Sequence, residues 1–104
     1  MKVLNISKEE FVKQLIEEGY EDWGGTDDFE VYGKVTYQQT PALMDEKYWR
    51  VYKDHAVKEY STNRNPVGWS LCEKCGEWYT WDNEEQHENC EYEIVVFTKR
   101  RLER

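Results

Sequence analysis

The order of apolar and polar positions predicts one helix near the N-terminus. Its apolar stripe recurs at helical spacing and consists of Phe11, Val12, Leu15 and Ile16. Ser7 and Glu10 stand three residues apart just before this stripe, which is the spacing of a capping box. Gly19 follows the last apolar turn and is a typical residue just past a helix end. The pattern therefore predicts an amphipathic helix that begins after Ser7 and ends before Gly19.

Further along the chain, the spacing of the apolar residues changes from that of a helix to that of a strand. Residues 29–38 and 91–98 alternate between apolar and polar positions, which predicts two half-buried strands. Gly33 in the first of these indicates a bulge. Residues 40–60 are ambiguous, and we expect a helical turn at Thr40-Pro41 followed by one or two strands. A short aromatic strand is predicted at 78–81, before a helix that begins near Asp82.

Composition limits the classes to which the chain can belong. With 104 residues we expect a single domain, 1–104, and its 5 Trp and 8 Tyr compensate for few aliphatic residues. The formal net charge of −8 argues against a general DNA-binding protein. The chain has neither a run of about 20 apolar residues nor a secretory signal pattern, so we expect a cytoplasmic protein without a membrane segment.

The chemistry-bearing residues cluster late in the sequence. All 3 cysteines and one of the 2 histidines follow the pattern Cys72-x2-Cys75-x11-His87-x2-Cys90. A Cys-x2-Cys turn presents two sulfurs to one ion, and three thiolates with one imidazole suit a structural, tetrahedral zinc site, with iron as the other candidate metal. A redox dithiol at Cys72 and Cys75, or three reduced cysteines in a core beside a surface histidine, are the alternatives.

This spacing resembles that of C2HC zinc fingers over residues 70–92. The resemblance implies one structural zinc ion held by Cys72, Cys75, His87 and Cys90. Many such fingers bind nucleic acid, but the acidic residues from position 82 onward argue against direct nucleic-acid binding here.

The expected fold class is α+β, with the N-terminal helix on a small antiparallel sheet that includes 29–38 and 91–98, and a zinc-finger-like C-terminal segment.

Acidic residues are concentrated in two segments, 17–30 and 82–93, that contain no Lys or Arg. Such concentrated charge can steer the protein toward a basic surface, although general solubility is the simpler explanation. The candidate partner-binding residues are Glu17, Glu18, Glu21, Asp22, Asp27, Asp28, Glu84, Glu85 and Glu88. His55 beside Asp54 suggests a small hydrolase or nuclease, but no nucleophile stands at a recognisable spacing, so we expect no catalytic residues.

In size and charge the whole chain resembles small phage-encoded anti-CRISPR proteins that act on Cas9. That resemblance implies an inhibitor in the bacterial cytoplasm, which binds a Cas9-type nuclease and blocks DNA loading or cleavage. We expect this protein to be non-enzymatic and monomeric. The alternative is a zinc-finger adaptor or transcription-associated regulator that binds protein or RNA through the finger and the basic tail at 99–104.

Overall fold

The computed structural model describes residues 1–99, and strands are its main elements. In chain order the elements are β1 (Lys2–Leu4), α1 (Lys8–Glu17), β2 (Glu21–Gly25), β3 (Glu30–Gln38), β4 (Met44–Val51), β5 (His55–Thr62), β6 (Ser70–Leu71), β7 (Trp78–Tyr79), a 3₁₀ turn (Trp81–Asn83), α2 (Glu84–Glu88) and β8 (Glu93–Phe97). Six strands form one sheet in the order β1-β8-β5-β4-β3-β2, and β6 and β7 form a separate two-stranded ribbon. The pair β1–β8 is parallel and the other neighbours are antiparallel.

The predicted fold class is therefore wrong. The described residues are 42% strand and 18% helix, and the main sheet is six-stranded and mixed rather than small and antiparallel. The two predicted strands are present as β3 and β8, but the prediction missed β1 and β2. These two strands occupy the edges of the sheet and have few inward apolar residues, so their side chains do not alternate clearly in polarity.

The core lies between α1 and one face of the sheet. The capping box is confirmed: the Ser7 hydroxyl accepts from the Glu10 amide, and the Glu10 carboxylate accepts from the Ser7 amide. Phe11 meets Trp49 edge-on, with ring centroids 5.2 Å apart, and Phe97 at the same distance. The other buried members of this core are Leu15, Tyr20, Tyr32, Val51, Ala56 and Val95. Aromatic rings thus supply the packing that the few aliphatic side chains cannot.

Gly33 has a different role from the predicted bulge. The irregular positions lie between Asp22 and Gly24 in β2 and between Val35 and Tyr37 in β3. A Cβ at Gly33 would lie only 2.3 Å from the ring of Trp23, so glycine is needed to let that indole cross the sheet surface.

The predicted helical turn at Thr40-Pro41 is also wrong, whereas the expected strands after it are present as β4 and β5. Residues 39–42 form a bend, in which the Thr40 hydroxyl accepts from the Ala42 and Leu43 amides. The Gln39 amide then bonds to the Leu43 carbonyl and closes the β3–β4 connection before a helix can propagate.

The predicted basic tail falls almost entirely outside the described residues. Arg100, Arg101 and Arg104 belong to that remainder, and only Lys99 is described, with its Nζ 3.5 Å from the Glu10 carboxylate. Within residues 1–99, no helix is long and apolar enough to cross a membrane.

Candidate metal centre

The four predicted ligands lie in the segment that connects β5 to β8. The turn between β6 and β7 carries Cys72 and Cys75, and Gly76 follows with φ of +80°. The Cys72 amide donates to the Glu77 carbonyl at 2.9 Å, and the Gly76 amide donates to the Cys72 carbonyl at 2.8 Å. These bonds hold a tight knuckle that needs a residue without Cβ at its exit. The 3₁₀ turn and α2 then bring His87 and Cys90 to the same place.

The donor atoms of Cys72, Cys75, His87 and Cys90 all lie within 4.8 Å of one another. The Nδ1 atom of His87 is 3.5 Å from the Sγ of Cys75 and 3.5 Å from the Sγ of Cys90. A tetrahedral zinc ion, with Zn–S of about 2.3 Å and Zn–N of about 2.0–2.1 Å, separates a sulfur from a nitrogen by about 3.5 Å. The cluster therefore has both the donor set and the spacing that one metal ion requires.

The imidazole of His87 is held in place by an aromatic neighbour. The Tyr79 ring stacks on it with centroids 4.6 Å apart and an interplanar angle of 21°. Because Nδ1 faces the two sulfurs, Nδ1 would be the ligand atom for a bound metal ion, and the proton would then reside on Nε2. The prediction of an aromatic strand at 78–81 contained Tyr79, but nothing in its spacing indicated this contact with a ligand.

The thiols differ in how readily they lose a proton. Burial raises the pKa of the Cys72 thiol, but hydrogen bonds from the Cys75 and Lys74 amides oppose burial and bring it down to about 7. Burial, together with the nearby sulfurs of Cys72 and Cys90, raises the pKa of the Cys75 thiol to about 12. A hydrogen bond from the Glu77 amide lowers this pKa, but only in part. Backbone hydrogen bonds therefore favour the thiolate at Cys72, whereas burial and the neighbouring sulfurs favour the protonated thiol at Cys75. Metal binding at this cluster must release protons and must weaken at low pH.

The metal segment is attached to the sheet along the free part of β5. The Tyr60 amide donates to the Glu73 carbonyl at 2.9 Å, beyond the point where β8 stops pairing with β5. The Tyr92 hydroxyl donates to the Glu73 carboxylate at 2.7 Å. Gly76 lies against the Tyr60 ring so closely that a Cβ there would be 2.6 Å from it. The knuckle and the sheet are therefore in direct contact.

A second attachment runs through an ion pair that the sequence pattern did not indicate. Arg64 donates to both oxygens of Asp45, from Nε at 2.9 Å and from Nη2 at 2.5 Å. Its guanidinium lies over the Tyr37 ring at 4.5 Å and over the Trp78 ring at 5.0 Å. Arg64 thus joins β3, β4 and β7, and its pairing with Asp45 could be found only from the three-dimensional structure because 19 residues separate them.

All nine acidic residues predicted to bind a partner are exposed. Within residues 1–99, none of them forms a salt bridge. They do not form one continuous set: the residues of 17–28 lie at the end of α1, on the edge strand β2 and in the turn after it, whereas those of 84–88 lie on α2 beside the metal cluster.

The Asp54–His55 contact is present but lies on an exposed hairpin. His55 Nδ1 is 2.7 Å from the Asp54 carboxylate, and the Tyr52 ring stacks on the imidazole at 4.5 Å. The Asp54 side chain is 81% exposed, so water surrounds the pair. This arrangement orients the ring and requires no catalytic explanation.

Comparison of the chain with protein-family models, curated proteins and solved structures finds no match. The resemblance to C2HC fingers is thus supported only by the Cys3His cluster, which can bind a metal ion, and the resemblance to anti-CRISPR proteins gains no support.

Proposed function

We propose that the Cys3His cluster holds one structural zinc ion. Three sulfurs and one imidazole nitrogen supply all four positions of a tetrahedron, which leaves none for a water nucleophile or a substrate. A zinc ion here would tie the turn after β6 to the end of α2 and so stabilise a segment whose own core is small.

The 2 histidines of the chain provide a matched pair for testing this proposal. Purified protein should contain one zinc per chain, and cobalt substitution should give the absorption bands of a tetrahedral thiolate site. His87→Ala should lose most of the metal affinity, whereas His55→Ala, on the β4–β5 hairpin, should retain it. Equal metal content in the two variants, or metal-free wild-type protein, would show that the cluster is not the site.

We further propose that the protein is a non-enzymatic interaction protein whose acidic surfaces bind a basic partner. The observation that carries this proposal is the exposure of all nine carboxylates in two segments without Lys or Arg. Like charges concentrated within each segment raise the local negative potential and favour encounter with a positive surface, more strongly at low salt.

The test is co-elution with basic nucleic-acid-binding proteins during size-exclusion chromatography at about 150 mM and about 500 mM salt. Binding should be present at the lower concentration and weaker at the higher one. Glu84→Gln/Glu85→Gln should weaken it more than Glu9→Gln/Glu46→Gln, which removes the same charge outside the two acidic segments. Failure of the wild-type protein to bind any basic partner at either concentration would reject the proposal.

A narrower form of this proposal makes the partner a Cas9-type nuclease. Its support is the small size and the net charge of −8, since such nucleases hold nucleic acid in a positively charged channel. Addition of the protein before target DNA should then reduce cleavage. Addition after the DNA is loaded should leave cleavage intact if loading is the blocked step, and should reduce it if cleavage itself is blocked.

The adaptor alternative, binding protein or RNA through the finger and the basic tail, predicts a different result. Deletion of 99–104 should abolish saturable RNA binding under that hypothesis, but should leave binding to a basic protein intact under ours. A hydrolase at His55 would instead require turnover that His55→Ala abolishes while the fold persists.

A further inference from the structure

An open groove of about 360 Å³ lies on the metal-bearing segment. Its walls are the loop before β6 and the 3₁₀ turn before α2. The lining residues are Asn65, Pro66, Val67, Gly68, Trp69, Ser70, Tyr79, Trp81 and Glu84. The most prominent are apolar yet exposed: Val67 is 98% exposed, Trp81 is 81% exposed and Trp69 is 50% exposed. Trp81 and Trp69 thus contribute little to the core, although the core depends on aromatic rings.

The groove is built on the metal centre. Tyr79 lines it and also stacks on His87, so the same ring contacts both a metal ligand and the groove. Trp81 begins the 3₁₀ turn that leads into α2, the helix that carries His87. A bound ion would therefore help to fix the wall that carries Tyr79 and Trp81. Tryptophan is one of the residue types that are enriched among the side chains that dominate binding energy at interfaces.

The negative charge at the groove favours a cationic ligand. Among residues 1–99, Glu84 is the one charged residue in the lining, and Asp82 and Glu85 are close to it in the chain. The nearest base in sequence, Arg64, already gives both its Nε and Nη2 donors to Asp45. Phosphates would be repelled here, whereas a cation would gain both a carboxylate and an aromatic face.

We propose that this groove is the docking site for an extended, arginine-bearing segment of a partner protein, with the guanidinium against Trp81 and paired with Glu84. The proposal rests on the proposed function and names the surface and the chemistry that would carry it. Arginine fits better than lysine because its planar group stacks on an indole while its N–H donors pair with a carboxylate.

The probe is a fluorescein-labelled peptide, Gly-Arg-Pro-Arg-Gly, and its binding is followed by anisotropy. Trp81→Ala and Trp69→Ala should each weaken binding about tenfold, in line with the loss of a central aromatic anchor. Trp23→Ala, which removes an indole from the edge strand β2, should leave binding unchanged. The same peptide with citrulline in place of arginine keeps the shape without the charge and should bind at least about fivefold more weakly. The cobalt spectrum of each variant checks that the metal centre is intact.

Three results would overturn the inference: unchanged peptide binding by Trp81→Ala with an intact cobalt spectrum, equal binding of the citrulline peptide, or preferential binding of poly(U) at the groove. The co-elution experiment separates this inference from the proposed function. If Trp81→Ala still co-elutes with a basic partner as the wild-type protein does, the groove is rejected and the acidic surfaces remain. If the wild-type protein co-elutes with none, the broader proposal fails, and the peptide measurement decides the groove independently.

Discussion

Replacement of Gly76 by alanine should destabilise the protein by more than the backbone conformation alone explains. Gly76 has φ of +80°, a region that costs an alanine about 1–2 kcal/mol. Its Cβ would also lie 2.6 Å from the Tyr60 ring, and relief of such a contact in a packed region costs about 1–3 kcal/mol. The two costs together predict a loss of about 2–5 kcal/mol.

Gly68 provides the control because its φ of +82° is nearly the same and nothing lies within 4 Å of its would-be Cβ. Gly68→Ala should therefore lose only the backbone cost, about 1–2 kcal/mol. The smaller conformational entropy of the unfolded alanine chain acts equally on both variants and cancels in the comparison. The difference between the two, about 1–3 kcal/mol, measures the contact between the knuckle and β5.

The assay is urea unfolding of the zinc-loaded proteins followed by far-ultraviolet circular dichroism, together with the rate of zinc release to a chelator. Gly76→Ala should show the lower unfolding midpoint and the faster release. In a Tyr60→Ala background, where the ring is absent, Gly76→Ala should lower the free energy of unfolding by about as much as Gly68→Ala lowers that of the wild-type protein. Equal losses in Gly76→Ala and Gly68→Ala would refute the claim that the knuckle is packed directly on the sheet.

Three further predictions concern the sheet. Phe11→Ala should lower the free energy of unfolding by about 3–5 kcal/mol, as measured by urea unfolding, since its ring packs on two others in the core. Gly33→Ala should cost about 1–3 kcal/mol and increase the exposure of Trp23 beyond its present 38%, visible as a red shift in fluorescence. An unshifted spectrum would contradict the close approach seen here. Arg64 lowers the pKa of the Asp45 carboxyl, so the stability from this pair is complete above the ordinary value of 3.8 and is lost as pH falls through the lower folded-state pKa. Asp45→Asn should therefore unfold more easily than the wild-type protein near neutral pH, and the difference should shrink in thermal melts at pH values well below 3.8.

Local sequence patterns were sufficient to predict those helices and strands that have one apolar and one polar face. The capping box and apolar stripe located α1, and strict alternation located β3 and β8. The edge strand β2 has the sequence EDWGG and is exposed throughout, so only its pairing with β3 identifies it. Parallel pairing of β1 with β8 joins the two ends of the described chain, which no local pattern can indicate.

The candidate site shows the same division. The spacing of Cys72, Cys75, His87 and Cys90 was enough to predict the cluster, because knuckle and helix geometry are local. Its support by Tyr79 and Glu73, and the position of Trp81 on an open groove, depend on how the segment is placed against β5. Those contacts join residues distant in sequence and were not predictable from spacing.

The position of β8 has a consequence for synthesis of the protein. This strand leaves the ribosome after every other strand described, yet it lies between β1 and β5 and contributes Val95 and Phe97 to the core. The β2–β5 meander can form from neighbouring segments of the nascent chain, but β1 has no partner until β8 arrives. Since the Cys3His segment emerges just before β8, early capture of metal would shorten the disordered connection from β5 and speed the final strand insertion.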